Sequence, residues 1–233
     1  MRKIIFAVLA LTITASCTFK KGSGNIITET RATGSFKGLD IAGGFEVEVK
    51  NGPTESVVVE ADDNLIKYVE VKVVADELKI RLEKIRVSNA HLKIFITSPE
   101  INSVSASAGA EIRVKDALKS PGTITVLASS GAKIVTALDA PGIKADVSSG
   151  GEMTLSGRTK DLHATSSSGS SLTASELLSE NSFVSASSGG TAYVNSSISI
   201  DASASSGGTI SYRGAVASLK KSESSGGQVK KGN

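Results

Sequence analysis

Seven times after Pro99 the chain returns to a Ser-Ser-Gly signature or a close variant of it. The first glycines of these signatures are Gly109, Gly131, Gly150, Gly169, Gly189, Gly207 and Gly226, at intervals of 22, 19, 19, 20, 18 and 19 residues. A unit this short cannot bury its own apolar face, so units with a fixed period must stack and seal one another into a solenoid. Aligning the repeats on glycine supports this. Three residues after it stand Ile112, Ile134, Met153, Leu172, Ala192, Ile210 and Val229, an unbroken apolar column. Five before it stand Val104, Val126, Ala145, Ala164, Val184, Ala202 and finally Lys221; three before, Ala106, Ala128, Val147, Ser166, Ala186, Ala204 and finally Glu223. Seven before it the column runs Asn102, Ile124, Ile143, Leu162, Ser182, Ile200 and Leu219. Polar columns alternate with these, as they do on a strand with one side turned inward. A flexible Ser/Gly linker has no reason to hold apolar residues in phase with glycine through seven repeats.

Small inward side chains let two sheets approach closely, so the expected cross-section is narrow. Aromatic residues make up only 4% of the chain and Trp is absent, which suits such a core. Glycine at the corner reaches positive φ without a steric penalty, and the serines before it let adjacent turns pack. Two residues after the glycine, Glu111, Lys133 and Glu152 become neighbours of alternating sign if the coils stack in register. The last repeat puts Lys221, Glu223 and Lys231 into columns that are apolar elsewhere, and charge there blunts an open sheet edge.

Residues 32–100 have a different texture. Alternating runs such as Phe45-Val47-Val49, Val57-Val59-Ala61, Leu78-Ile80-Leu82 and Leu92-Ile94-Ile96 read as strands. Asn51-Gly52-Pro53, Asp62-Asp63-Asn64 and Asp76-Glu77 read as turns between them. The expectation is an all-β chain: a strand meander over 32–100 that precedes and caps a parallel β-helix over 101–233.

The N-terminus reads as an export signal. Arg2-Lys3 precedes an apolar run from Ile4 to Ile13 that is too short to span a bilayer as a helix, and Thr14-Ala15-Ser16 leads to Cys17. Residues 1–16 are expected to be a signal peptide ending in a lipobox. Cys17, the only cysteine, is then the lipid-bearing residue, with 17–31 a polar tether. The partner so implied is a membrane, and the address an outer-membrane lipoprotein facing the periplasm or the cell surface. The net charge of +3 falls by two, to +1, when Arg2 and Lys3 leave with the leader. No basic run supplies the counterion-releasing footprint of a nucleic-acid binder.

Gly34-Ser35-Phe36-Lys37-Gly38-Leu39, Gly43-Gly44-Phe45-Glu46-Val47, Val57-Val58-Val59-Glu60-Ala61-Asp62, Leu78-Lys79-Ile80 and the Ser-Ser-Gly-Gly repeats together resemble the head GIN domain family, the auto-transporter adhesin-like proteins of bacterial envelopes. The resemblance covers roughly residues 31 to 230. It implies a right-handed coil and an adhesin-like role, and it brings no catalytic residues.

Chemistry-bearing residues are sparse. His91 and His163 are far apart in sequence and read as surface residues; with no cysteine beyond position 17, a zinc site is not expected. Calcium-binding β-rolls carry Asp after their turn glycines and these corners do not, so no metal or cofactor is expected. The enzyme alternative is a polysaccharide lyase or hydrolase, for which Asp146 with Glu152, or Asp161 with Arg158 and Lys160, are the nearest approaches to a carboxylate–base cluster. The preferred reading is a non-enzymatic envelope protein whose serine-rich surface contacts a glycan or another cell-surface partner, with self-association open. A periplasmic scaffold without an external ligand is the other alternative. Tyr193 and Tyr212, one repeat apart but offset in column, are the candidate contact patch, with ordinary surface tyrosines as the alternative reading.

Overall fold

The computed structural model describes residues 18–83 and 85–232; the leader and Cys17 lie outside them. The first half contains β1 (Thr18–Lys21), β2 (Ile26–Arg31), β3 (Gly38–Ala42), β4 (Glu46–Asn51), β5 (Ser56–Asp62), β6 (Val69–Val74), β7 (Glu77–Leu82), β8 (Ile85–Ser88) and β9 (Leu92–Ser98). The second contains β10 (Ser103–Ser107), β11 (Glu111–Val114), β12 (Leu118–Lys119), β13 (Thr123–Ala128), β14 (Lys133–Val147), β15 (Glu152–Ser167), β16 (Ser171–Ser187), β17 (Thr191–Ala204), β18 (Thr209–Arg213), β19 (Ser218–Glu223) and β20 (Gln228–Lys231). Apart from one 3-10 turn at Ile66–Tyr68, the described regular structure is all strand.

The strands coil into a β-solenoid with two parallel faces. One face stacks β7, β3, β10 and β13, then the second halves of β14 to β17, then β19. The other stacks β9, β4 and β11, then the first halves of β14 to β17, then β18 and β20. The glycine-phased columns lie directly over one another: Ile112 pairs with Ile134, Ile134 with Met153, Met153 with Leu172, Leu172 with Ala192, Ala192 with Ile210 and Ile210 with Val229. All seven are buried, as are Val104, Val126, Ala145, Ala164, Val184 and Ala202 on the facing sheet. Each large aliphatic side chain so buried contributes roughly 1.5 to 3 kcal/mol of transfer free energy, which gives the coil its stability despite polar composition.

The solenoid starts earlier than residue 101. β3 and β4 pair in parallel with β10 and β11, and β7 and β9 pair in parallel with β3 and β4, so the stretch expected as a meander supplies coils of its own. The cap is confined to β6, antiparallel to β7, and to β5 and β2, which extend the other face antiparallel beyond β9. The reversed direction of β5 and β6 ends the parallel stacking on the two faces, and β2 lies outermost on β5.

The expected tether over 17–31 is corrected from Thr18 onward. β1 pairs in parallel with β8, and β2 pairs along its length with β5. Between them Asp62, Asp63 and Asn64 form a clamp. The buried Asp62 carboxylate accepts the Gly24 and His91 backbone N–H groups at 2.7 Å each. Asp63 accepts the Ser23 hydroxyl (2.6 Å) and the Asn25 amide (2.8 Å), which hold its carboxyl below the usual carboxylate range. Asn64 Nδ2 donates to the Lys21 carbonyl at 2.9 Å. A polar, glycine-bearing segment is thus fixed by side chains some forty residues away.

Candidate functional site

Three outer features of the coil are built from the repeats themselves. The first is the glycine corner. Each corner is a two-residue turn in which both central residues take positive φ: Ser149 at 51° and Gly150 at 71°, with the same pair repeated from Ala108-Gly109 to Ser225-Gly226. The turn closes through the N–H of the next residue, as in Gly151 to Ser148 O at 2.9 Å. The corner glycine donates its own N–H to the next coil: Gly131 to Ser149 O, Gly150 to Ser168 O and Gly169 to Ser188 O, each at 3.1 Å. Six of the seven predicted corner glycines, Gly109, Gly131, Gly150, Gly169, Gly189 and Gly207, donate in this ladder; the last corner, Ser225-Gly226, accepts through Ser225 O, and at the other end Gly43 donates to Ser107 O at 3.2 Å. The second glycine of Gly-Gly is a packing residue, since a Cβ on Gly190 would stand 2.3 Å from the Ser166 carbonyl oxygen.

The second feature lies on the edge opposite the corners. The 20-residue coil between Gly169 and Gly189 sits between coils of 19 and 18, so β16 bulges against its neighbours, with register shifts after Thr154 and Ala174. The bulge buries Leu177 and turns Leu178 outward, 60% exposed. A cleft of about 580 Å³ opens beside it, lined by Pro141, Arg158, Lys160, Leu178, Glu180 and Asn195. Arg158 forms a two-pronged bond to Asp139 across adjacent coils, 2.9 Å on each arm; this holds the Asp139 carboxyl below its ordinary range and raises the guanidinium above its own.

The third is an outward column on the first face: Lys144, His163, Phe183, Asp201 and Lys220, each paired in register with the next. The His163 and Phe183 rings stack with centroids 4.7 Å apart and planes 8° from parallel. Lys220 Nζ donates to Asp201 at 2.8 Å, and that hydrogen bond, with the carboxylate charge, raises the ammonium above its usual value.

The constellations considered for catalysis do not gather. Asp146 lies near Lys144 (3.4 Å) on the first face, while Glu152 lies near Lys133 (3.4 Å) on the second. Asp161 accepts the Asn181 amide at 2.9 Å, and Asn181 Oδ1 accepts the Ser199 hydroxyl at 2.8 Å, a ladder along the axis rather than an acid–base pair. Arg158 is taken up by Asp139 and Lys160 lines the cleft. His91 Nε2 contacts Glu60 at 2.7 Å at the capped end, remote in the fold from His163. Among the described residues no group of three or more His, Cys, Asp or Glu comes together.

The tyrosine patch is a correction. Tyr193 is 41% exposed, but Tyr212 is buried, because it pairs with Val194 while Tyr193 pairs with Ser211. Adjacent positions on a strand point to opposite faces. Tyr212 stands five residues after Gly207, as Val194 stands five after Gly189, and that phase marked it as inward. His163 and Phe183 each stand six residues before a corner glycine, Gly169 and Gly189, and that common phase is the sequence signal of the stacked pair; the cleft has only the interval of 20 followed by 18 as its trace.

Residues 35–215 match a family model described as "putative auto-transporter adhesin, head GIN domain". Among solved structures, a "putative adhesin" from Bacteroides fragilis superposes with a TM-score of 0.83 at 19% identity, covering 91% of this chain and 99% of that one. A "putative adhesin" from Parabacteroides merdae gives 0.70 at 17% identity, covering 93% and 100%. A "putative lipid binding protein" from Parabacteroides distasonis gives 0.72 at 15% identity, also covering 93% and 100%. At such identities the likeness establishes a shared fold. Among curated proteins no relative matches.

Proposed function

The chain belongs to the head GIN domain family, and from that premise we propose that it is a non-enzymatic, lipid-anchored adhesin of the cell envelope, held through Cys17 at the outer membrane and contacting its partner through the outer faces of the coil. The observation that carries this reading is the registered stacking of outward columns. Outward positions recur in register on successive coils, as in Ser103, Thr125, Lys144, His163, Phe183, Asp201 and Lys220, so that hydroxyl, charged and aromatic groups stand in one file along the axis. A periodic surface meets a periodic partner through many contacts, each weak and together useful. The candidate acids and bases support the non-enzymatic part, since they are engaged in ion pairs and ladders along the axis.

Protease treatment of intact cells tests the surface address. The expected result is loss of the body from intact cells, with the released fragment recovered outside. Complete protection until the outer membrane is opened would overturn external adhesion and favour a periplasmic scaffold. Metabolic labelling with a fatty acid tests the anchor: label should enter the wild type and be lost in Cys17→Ser.

A further inference from the structure

The column through Phe183 contains a break. On one side its ring is covered by His163; on the other the next coil presents Asp201, a much shorter side chain. Phe183 is consequently 45% exposed, and beside it lies a notch of about 240 Å³ lined by His163, Thr165, Phe183, Ser185, Asp201 and Ser203. Rings are scarce in this coil, and a half-exposed one at a recess with a carboxylate and several hydroxyls around it is an unusual concentration of recognition chemistry.

We propose that this notch is a subsite for one neutral pyranose unit of a glycan, a proposal that rests on the adhesin reading above and gives it a ligand class and a location. A pyranose ring has a C–H-bearing face that is apolar and weakly positive, which matches the negative face of an aromatic ring. Its rim carries hydroxyls, which need acceptors and donors together. Asp201 supplies a charged acceptor, the stronger kind, and its Oδ1 accepts no hydrogen bond among the described residues while Oδ2 holds Lys220. Ser185, Ser203 and Thr165 supply hydroxyls that both donate and accept. Lys220 compensates the Asp201 charge, so the notch favours neither an anion nor a cation strongly. A neutral polyol is the ligand that uses every group present. His163 acts as a positioning residue, holding the Phe183 ring from behind.

Saturation-transfer NMR on the full chain, irradiating aromatic protons in the presence of methyl β-galactoside, cellobiose, maltotriose and, as an anionic control, glucuronate, tests the proposal. Transfer should reach the ring C–H protons of at least one neutral sugar and exceed that to glucuronate. Phe183→Ala should weaken binding by about tenfold or more. Asp201→Asn should weaken it by less, and Tyr193→Ala, on the other face, should leave it unchanged. Thermal unfolding of the variants checks that these exposed substitutions preserve the coil, and Asp201→Asn serves if Phe183→Ala fails to fold. Sugar binding that survives Phe183→Ala, or that survives Asp201→Asn undiminished where the first variant does not fold, would overturn the notch and leave the adhesin reading intact. No transfer to any neutral sugar at the highest soluble concentration would overturn the pyranose assignment. Failure of the adhesin reading itself would show separately, as full protection of the body in intact cells.

Discussion

Serine, not glycine, occupies the first left-handed position of six successive corners: Ser130, Ser149, Ser168, Ser188, Ser206 and Ser225, all with φ between 47° and 54°. An L residue other than Gly, Asn or Asp costs roughly 1 kcal/mol or more there. Two-residue turns with both φ values positive favour Asn-Gly, because the asparagine side chain bonds locally to its own backbone. Ser149→Asn is therefore expected to stabilise the protein by about 0.5 to 1 kcal/mol, raising the thermal midpoint by about 1 to 4 °C. Circular dichroism melting measures it, and Ser149→Val should move the midpoint in the opposite direction. The serines are retained along an exposed line of the coil, and the strain they carry is spread evenly over its length.

Along each strand, the phase relative to glycine tells inside from outside, and this is why the files from Ile112 to Val229 are legible in the sequence. The capped end offered no such phase. β3 and β4 carry a corner at Gly43-Gly44 without the Ser-Ser signature, so their membership of the coil was concealed. The clamp on residues 21–25 depends on Asp62, Asp63 and Asn64, residues that read locally as a turn and act at long range. Side-chain bonds across forty residues leave no period. One ion-pair group spanning three neighbouring strands has a pH consequence. Glu48 on β4 lies 2.9 Å from Lys93 on β9 and 3.5 Å from Lys115 beyond β11, and its carboxyl is held below the ordinary value of about 4.3, chiefly by the Lys93 hydrogen bond. A depressed folded-state value means the stabilisation is complete above the unfolded value and is lost as pH falls through the folded one. Glu48→Gln should thus be less stable than the wild type near neutrality, and the gap should narrow progressively as pH falls below the ordinary glutamate range. Urea midpoints across a pH series read this directly; a gap that stays constant into acid would remove the assignment.

As a whole the molecule is a stack with one closed end and one guarded end. At the C-terminal end β19 is exposed throughout, and Lys221 and Glu223 replace the small inward residues above them, all aliphatic except Ser166. Glu223 also accepts the Val229 N–H at 2.6 Å, which binds the final corner together and lowers its carboxyl below the usual range. Replacing Lys221 with Val and Glu223 with Ala should prolong the apolar files to the last rung, and light scattering should then show concentration-dependent association beyond that of the wild type. At the opposite end, the bonds from Asp62, Asp63 and Asn64 to the segment after β1 determine how tension travels. A pull at Thr18 is not absorbed by slack chain. It is delivered through β1 and the clamp to β5, and from β5 across β9 into the stacked coils, so a force applied at the first strand loads paired backbone throughout.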